Sequence, residues 1–411
     1  MLSVLAVLAL ASGARGDTVT VSPNGPVRSI GQGIELARPG GTVLVRAGVY
    51  REPTIIVRKS VRIQGDSGAV LDGGGANAIL VIAADFVTVR GLTFQNTGTS
   101  YVEDRAAVRV MEATSCTIID NSFTDTFFAV YLQRVSSCEV ARNRMTGLRG
   151  TQSGTGNGVH AWQSRDIVIR DNEITGHRDG IYFEFVSHGT ATGNLVQRSL
   201  RYGLHFMFSD SCVYERNTFA SNEAGVAVMY ASAVRIVDND FVRNRGSAAY
   251  GLLLKDINGS VIAGNAFIDN TVALHLEGSN RNRIEDNVFR ANGWAVRLLA
   301  NADDNLLAGN AFEQNLFDVS TNSRRSTSTV RGNYWDRYRG YDLDRDGSGD
   351  VPHAPVRLFA LIVERAPAAL LLVRSVIADA LDLAERVAPV LTPASLSDTA
   401  PLMRPPLRSS R

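Results

Sequence analysis

Two histidines, two methionines and a glutamate recur at related positions of the chain and could supply ligands for a soft metal ion. His205 and Met207 are two residues apart, so in an extended strand their side chains lie on one face. Met229 follows Met207 after 22 residues, and His160 and Glu184 lie at comparable positions earlier. Thioether sulfur and imidazole nitrogen are ligands that suit Cu(I). These five residues are therefore the candidate copper ligands.

Aromatic residues accompany these donors and indicate a second use for the same surface. Trp162 and Tyr182 are predicted to lie on the same face, and a patch of aromatic and methionine side chains is typical of a protein-docking surface. His160 and His205 are predicted to be two strands apart, about 9.6 Å, which is too far to share a metal ion without rearrangement. Metal ligation and docking are both compatible with this patch.

Glu184 is also the centre of the one plausible acid/base cluster, together with Tyr182 and the two histidines. The other carboxylates are scattered through turns, and the sequence contains no nucleophile elbow, phosphate loop or zinc-type Cys/His pairing. A carbohydrate-active β-helix enzyme, either a polyuronate lyase or an epimerase, is therefore the alternative function.

An acidic loop near the C-terminus could bind a hard cation. Asp342, Asp344, Asp346 and Asp350 occupy positions 1, 3, 5 and 9 of a calcium-type loop, with glycine at position 6. Position 12 is His353 rather than a bidentate glutamate, and no helix is predicted before the loop. The loop is thus either a Ca²⁺ site or an Asx-rich turn that needs no metal.

A repeat that is marked by asparagine predicts the elements that carry these residues. Asparagines recur mostly every 22 or 23 residues, at Asn121, Asn143, Asn172, Asn194, Asn217, Asn239, Asn265, Asn287, Asn310 and Asn333. Three series of apolar residues keep the same period, which predicts three sheets around one core. We therefore expect a right-handed parallel β-helix of roughly twelve coils, in which this asparagine series and a second one from Asn222 are structural.

The repeat also predicts which side chains point outward. In the unit that begins Gly158-Val-His160, the residues on either side of the third position face the core, so the third and fifth positions face outward. The candidate copper ligands occupy these two positions in successive units. Three insertions leave one corner of the coil, at Thr97–Arg105, Leu148–Asn157 and Arg245–Ala249.

The first part of the chain predicts export. Residues 1–16 resemble a signal peptide, residues 17–340 should form the β-helix, and Ser29–Ala37 should form a helix that caps its open end. The formal charge of +1 argues against nucleic acid as the main partner. Cys116 and Cys138 fall on consecutive coils, so they are either a disulfide or stacked core thiols. We expect a periplasmic location.

After the repeat the chain changes character. Residues 341–353 are the acidic loop, and residues 354–411 are predicted to form an amphipathic helical extension followed by a loose, proline-rich terminus from Pro389. An apolar stripe in this extension could cap the β-helix or dock on a partner, and it consists of Leu370, Val373, Ile377 and Leu381.

Several segments together resemble the NosD family, which consists of periplasmic β-helix maturation proteins of nitrous oxide reductase. They are Pro39-Gly-Gly-Thr-Val-Leu-Val45, Ala47-Gly-Val-Tyr50, Val70-Leu-Asp-Gly73, Val87-Thr-Val-Arg-Gly-Leu-Thr-Phe94 and Gly332-Asn-Tyr-Trp335, together with the loop Gly340–Asp350. The resemblance implies a non-enzymatic role in assembling the copper centres of the reductase. It also implies an ABC transporter permease and a periplasmic copper chaperone as partners, with membrane contact only through the transporter. It supplies no ligand motif, so the ligands above rest on spacing, and a sulfur species stays open as the cargo.

Overall fold

Three parallel sheets wind around one core in the computed structural model of the protein, which describes residues 17–100, 103–148, 150–246, 249–323, 326–373, 375–388, 392 and 396–406. The predicted signal peptide, residues 1–16, lies outside the described residues. Each strand pairs with its counterpart one turn before and one turn after, so the three sheets run the length of the molecule. This arrangement confirms the parallel β-helix.

The strands of each sheet follow the repeat. The first sheet has 14 strands: Thr18–Val21, Thr42–Val45, Arg62–Gly65, Thr88–Arg90, Thr117–Ile119, Glu139–Ala141, Val168–Arg170, Thr190–Thr192, Val213–Glu215, Arg235–Val237, Val261–Ala263, Arg283–Glu285, Leu306–Ala308 and Thr329–Arg331. The second has 12 strands: Ile55–Val57, Leu80–Ile82, Ala106–Met111, Phe128–Gln133, Val159–Trp162, Asp179–Glu184, Tyr202–Met207, Ala224–Met229, Tyr250–Lys255, Val272–Glu277, Trp294–Leu298 and Phe317–Ser320. The third has 13 strands: Gly48–Tyr50, Ala69–Asp72, Thr93–Gln95, Ser122–Thr126, Arg144–Gly147, Glu173–Thr175, Leu195–Gln197, Thr218–Ala220, Asp240–Val242, Ala266–Ile268, Val288–Arg290, Ala311–Glu313 and Tyr334–Trp335.

The number of turns exceeds the prediction slightly. The longest sheet has 14 strands, against roughly twelve expected coils. The added turns lie at the N-terminal end, where short strands such as Thr18–Val21 and Thr42–Val45 lack the asparagine marker that set the predicted count. The three predicted insertions each join a strand of the third sheet to one of the second, which confirms that they leave a single corner.

Core packing follows the predicted inward series. The residues that flank each third position are buried, as Ile181 and Phe183 illustrate with no exposed surface. Aromatic rings from successive turns stack from Phe219 to Trp335, with centroids between 4.2 and 5.6 Å apart. Stacked rings at this spacing bury large apolar areas and fix the register of the turns.

The asparagine ladder is structural, as predicted. The backbone N–H and the side-chain Nδ2 of Asn121 both donate to Oδ1 of Asn143, at 3.0 and 3.1 Å. The same pair of bonds links each marker asparagine to the next as far as Asn333. These side chains are buried, so the bonds satisfy polar groups that would otherwise cost free energy.

The N-terminal helix lies where the sequence placed it. Helix α1 spans Ile30–Leu36, and the Ser29 side chain accepts a hydrogen bond from the N–H of Gln32 at its N-terminus. Its buried face, which includes Ile30 and Ile34, packs on the first strands. The helix thereby covers the open end of the core.

The C-terminal extension lies against the second sheet. Helix α2 spans Leu358–Arg365, a 3₁₀ helix spans Pro367–Leu372, and helix α3 spans Val376–Val387. Phe359, Ala360 and Val363 of α2 bury themselves against Phe317. The guanidinium of Arg297 donates to both carboxylate oxygens of Glu364 at 3.0 and 2.9 Å, which fixes α2 to the sheet.

The prediction of a loose terminus after Pro389 is wrong for residues 396–406. Asp398 bridges to Val330 and His353, and Leu402 bridges to Tyr334 and Ser348. Asp398 is fully buried and ends the asparagine ladder, because its Oδ2 accepts from the N–H and Nδ2 of Asn333 and from Nε1 of Trp335. An open ladder end needs an acceptor, and composition alone does not reveal one.

The cysteines resolve into two kinds. Cys116 and Cys138 form a disulfide between consecutive turns, with Cα atoms 4.5 Å apart. Cys212 is buried and unpaired, and burial raises the pKa of its thiol to about 12. The disulfide alternative is therefore correct for the first pair, and the core-thiol alternative holds for Cys212.

Candidate functional site

The outer face of the second sheet carries the candidate ligands in register. The third-position column runs through Tyr131, His160, Tyr182, His205 and Ala227 on neighbouring strands. The four rings of this column, from Tyr131 to His205, lie one on another with successive centroids 4.8, 4.7 and 4.5 Å apart. The fifth-position column beside it runs through Gln133, Trp162, Glu184, Met207 and Met229. The strand pairing predicted from the repeat is thus the observed one.

The third-position column is largely covered, which corrects the expectation of an open outward patch. Within it, His160 and Tyr182 are partly buried and the other members are buried. His205 is 3% exposed, and the His160 side chain is 12% exposed. Residues at the start of the strands lean over the column, since the rings of Phe128 and Tyr202 lie 5.7 Å from His160 and 4.8 Å from His205. The side chains do face away from the core, but aromatic residues at the starts of the strands cover them.

His205, Met207 and Met229 meet on two adjacent strands. Met207 pairs with Met229 across the strand boundary, and His205 lies two residues before Met207 on the same face. The hydroxyl of Tyr182 lies 3.7 Å from the Met207 sulfur. Nε2 of His205 is buried and has no hydrogen-bond partner among the described residues. A buried imidazole nitrogen without a hydrogen-bond partner, on the same sheet face as two thioethers, offers donors of the kind that suit Cu(I).

His160 and Glu184 form a separate pair. The ring of Tyr182 lies between His160 and His205, so the structure does not bring the two histidines together. Nε2 of His160 is instead 4.0 Å from a Glu184 carboxylate oxygen. Burial lowers the pKa of His160 to about 3, and the nearby Arg178 adds to the effect. This imidazole is therefore neutral at physiological pH.

A buried charged cluster behind His205 escaped the sequence analysis. Asp179 is fully buried, and its Oδ2 lies 3.4 Å from Nδ1 of His205. The guanidinium groups of Arg178 and Arg201 approach the same oxygen at 3.8 and 4.0 Å. The other six-residue strands begin with an apolar or aromatic residue, as at Phe128. A carboxylate at this position therefore breaks the pattern of the repeat, and this exception could have pointed to Asp179 in the sequence.

Three exposed aromatic rings flank the methionines and were also missed. Phe185, Phe208 and Tyr230 directly follow the strands that end at Glu184, Met207 and Met229, and they stack at 5.1 Å. They are 48, 43 and 42% exposed, and each has a left-handed backbone with φ between 50 and 55°. Polar residues such as Gln163 and Asp256 occupy this position in other turns. Aromatic residues at the same position in three consecutive turns therefore indicated an unusual surface in the sequence.

Trp162 and Tyr182, the predicted docking residues of the second sheet, both pack against other side chains of the site. Trp162 is partly buried and packs on Ala106, Phe128 and Tyr131, with the Arg134 guanidinium 5.8 Å from its ring. Tyr182 is the middle ring of the stack, and burial raises the pKa of its hydroxyl. Both rings therefore contribute to the scaffold of the site.

The predicted stripe of the extension is split between two faces. Val373 and Leu381 pack on the α2 cluster, whereas Leu370 and Ile377 are 37 and 54% exposed. The larger exposed apolar surface is a different one, the outer face of α3. Its members are Val376, Leu383 and Val387, exposed by 82, 62 and 79%. Helix α3 has more apolar side chains than its buried face uses, so apolar side chains also lie on its outer face.

The acidic loop brings three carboxylates together. Oxygens of Asp342, Asp344 and Asp346 lie within 4.8 Å of one another. The same groups accept backbone hydrogen bonds, including 3.0 Å from Gly347 to Asp342, while Asp350 accepts from Leu343. His353, at position 12, is turned inward against Trp335 and pairs with Asp398, so it supplies no ligand. The loop has the backbone bonds of an Asx-rich turn as well as the convergence of a cation site.

Three further histidines are neutral, of which His177 and His275 are buried and His353 is partly buried. Burial lowers the pKa values of His177, His275 and His353 to about 4. Together with His160 they are the four histidines of the described chain whose pKa is lowered. Burial acts in the opposite direction on Asp318, whose pKa rises to about 6.

The fold and this site define a class: a parallel β-helix whose outer sheet displays soft-metal donors beside an appended helical extension. A family model described as "Periplasmic copper-binding protein (NosD)" matches residues 141–340, and one for a protein of unknown function, DUF1565, matches residues 13–233. The chain belongs to the NosD family. It is 30% identical to the "Probable ABC transporter binding protein NosD" of Pseudomonas aeruginosa over 87% of both chains. It is 27% identical to the protein of the same name from Stutzerimonas stutzeri, over 88% of this chain and 86% of that one.

Solved structures agree on the fold alone. A tailspike protein of Escherichia coli bacteriophage HK620 superimposes with a TM-score of 0.50 at 13% identity. The match covers 72% of this chain and 59% of the tailspike chain. Within the described residues, every helix is too short or too polar to cross a membrane.

Proposed function

We propose that this protein is a non-enzymatic periplasmic accessory protein that takes up copper as cargo for assembly of the copper centres of nitrous oxide reductase. The observation that carries the proposal is the group His205, Met207 and Met229, in register on adjacent strands, with an unpartnered imidazole nitrogen. Membership of a family described as periplasmic and copper-binding supports it. Thioether and imidazole ligands select Cu(I) over harder ions.

The position of the site suits transient loading. Met207 and Met229 are only partly buried, whereas His205 is buried behind them, so the thioethers are the outer ligands and the imidazole the inner one. The exposed rings of Phe185, Phe208 and Tyr230 border the methionines. A copper chaperone would meet this apolar border when it brings its ion to the thioethers.

The helical extension is the proposed contact with the permease of an ABC transporter. Its α2 is fixed to the second sheet through Glu364 and Arg297, and α3 presents its outer face to solvent. Arg297 follows His205 by four strands, about 19 Å at the usual strand spacing. The names of both relatives, which describe transporter-binding proteins, support this assignment.

A titration with Cu(I) under anaerobic conditions, against a chromophoric chelator, tests the copper site. The double variant Met207→Ala/Met229→Ala should bind Cu(I) at least about tenfold more weakly, because even outer-shell changes at metal sites cost 10–100-fold. Met111→Ala is the matched control, since Met111 occupies the same fifth-position column several turns away and is also partly buried. Unchanged affinity in the double variant would refute this site.

The alternative function, a polyuronate lyase or epimerase, would use Glu184 with His160. Their 4.0 Å separation is the observation in its favour. Turnover of a polyuronate that disappears in Glu184→Gln would establish the enzyme and overturn the non-enzymatic proposal. We expect no turnover, because Asp179 is buried behind the ring stack and no second accessible carboxylate faces Glu184 among the described contacts of the site.

A calcium ion at Asp342, Asp344 and Asp346 is a second, structural proposal. The support is the convergence of the three carboxylates within 4.8 Å. Such an ion would stiffen the loop that lies against the C-terminal segment, since Gly349 donates to the carbonyl of Pro401 at 2.7 Å.

A further inference from the structure

Asp179 occupies a position where a carboxylate is costly. It is the first residue of the strand Asp179–Glu184 and has no exposed surface. Its Oδ1 accepts one hydrogen bond, from the N–H of Tyr202 at 3.3 Å. A buried charge is retained only where charged or hydrogen-bonding neighbours compensate it. Asp179 therefore needs an explanation from its surroundings.

Two arginines compensate this charge from the outer side. Nε of Arg178 and a terminal nitrogen of Arg201 lie 3.8 and 4.0 Å from Oδ2 of Asp179. Arg201 also rests on the ring of Tyr202, 4.6 Å from its centroid. The carboxylate is thus held between two guanidinium groups and the imidazole of His205, and it lies closest to the imidazole.

The ring of His205 is fixed in orientation by its neighbours. Tyr182 stacks on it at 4.5 Å with an interplanar angle of 7°, and Tyr202 lies 4.8 Å away in a tilted arrangement. Nδ1 is 3.4 Å from Oδ2 of Asp179, the shortest charged contact of that oxygen, although neither atom meets the full geometry of a hydrogen bond. Nε2 is buried and has no partner among the described residues.

We propose that Asp179 is a positioning residue, which accepts the Nδ1–H of His205 and thereby leaves the lone pair of Nε2 for a soft metal ion. The inference rests on the proposed copper site and deepens it. A histidine that binds a metal through one nitrogen commonly donates the other N–H to a carboxylate, which fixes the tautomer and makes the imidazole a stronger ligand.

Nitrogen NMR of the histidines in the full-length, copper-free protein tests the tautomer directly. At pH 8 the chemical shifts of the two ring nitrogens of His205 report which of them carries the proton. We expect Nδ1–H in the unsubstituted protein and a shift toward Nε2–H in Asp179→Asn, whose amide can donate to Nδ1. The signal of His205 is identified by its loss in His205→Gln.

Copper affinity gives the second measurement. Asp179→Asn should weaken Cu(I) binding by 10- to 100-fold, the usual effect of removing such a partner. Asp166→Asn is the matched control, because Oδ1 of Asp166 lies 3.8 Å from Nδ1 of His188 in an exposed carboxylate–imidazole pair on the surface. This control should change neither the His205 tautomer nor the affinity.

The outcomes separate this inference from the copper site itself. A His205 that carries its proton on Nε2 in the unsubstituted protein overturns the role of Asp179, whether or not copper binds, and this measurement does not depend on the folding of Asp179→Asn. An Nδ1–H tautomer with no Cu(I) binding overturns the copper site and leaves the positioning of the ring supported. An Asp179→Asn protein with unchanged tautomer and unchanged affinity also overturns the role.

Discussion

Replacement of Asp398 by alanine should open the C-terminal end of the β-helix without unfolding the rest. The carboxylate accepts hydrogen bonds from the N–H and Nδ2 of Asn333, both at buried positions, and from Nε1 of the buried Trp335. It also accepts from Gly332 and Ala400. Alanine removes every one of these acceptors at once.

The size of the effect follows from those contacts. Nδ2 of Asn333 keeps the carbonyls of Leu307 and Arg331 as acceptors. A buried donor without an acceptor costs about 1–3 kcal/mol, so the N–H of Asn333 and the indole N–H of Trp335 amount to roughly 2–6 kcal/mol. Release of residues 396–406 lets water reach the donors and relieves the cost. Since each turn of a repeat protein contacts only its neighbours, fraying should stop within the last turns.

Hydrogen exchange measured by mass spectrometry is the assay. Peptides that contain residues 329–335 should exchange at least about tenfold faster in Asp398→Ala, because each 1.4 kcal/mol is a factor of ten and the smallest cost above is about 2 kcal/mol. Asp72→Ala is the control, since Asp72 is a buried carboxylate at the opposite end that accepts from Gly74 and Asn96. Unchanged exchange at 329–335 would refute the role of Asp398 as the end of the ladder.

Three further predictions concern the histidines, the acidic loop and the extension. The four histidines whose pKa is lowered have folded-state pKa values of about 3 to 4, below the unfolded value, so their contribution to stability is present above pH 6.5 and is lost as the pH falls toward 4. Asp318 acts in the opposite sense, because its pKa is raised in the folded protein. Unfolding at acidic pH therefore takes up about three protons net, which lowers the free energy of unfolding by at most about 4 kcal/mol for each unit that the pH falls. Urea titrations at pH 7, 6 and 5 that give equal stability would contradict this. Calcium should raise the thermal midpoint of the copper-free protein, and Asp344→Asn should abolish that increase, whereas a calcium response that survives the substitution would rule out the loop as its source. Leu383→Asp on the outer face of α3 should abolish co-purification with the transporter permease while Lys59→Asp, on the exposed surface at the other end, leaves it intact; co-purification that persists in the α3 variant would remove this face as the contact.

The sequence was sufficient for the repeating parts because each position is tested many times over. The period that relates Asn121 to Asn333 places every intervening turn, and the residues on either side of His205 are buried as alternation requires. The same period correctly paired Met207 with Met229. A wrong assignment in one unit of the repeat is therefore revealed by the units on either side.

The parts that failed depend on single residues and on tertiary cover. His205 faces outward, yet Asp179 and Tyr202 bury it. Both of these residues are the first of their strands, outside the third and fifth positions that the repeat predicts to face outward. The end of the ladder at Asp398 lies 65 residues beyond Asn333 and follows a proline-rich stretch that resembles a disordered tail. Such contacts occur once in the chain, so no periodic signal predicts them.

The asparagine ladder also has an electrical polarity. In every rung the side-chain amide donates from Nδ2 to the Oδ1 of the following turn, so the amide dipoles point the same way from Asn121 to Asn333. Aligned dipoles add, as they do along an α-helix, and the positive end here falls at the C-terminal turn. The first rung ends on a neutral backbone N–H, from Leu92, whereas the last ends on the carboxylate of Asp398. The anionic residue at that end acts as a counter-charge to the whole column, so extending the β-helix by further turns would require moving this charge with its end.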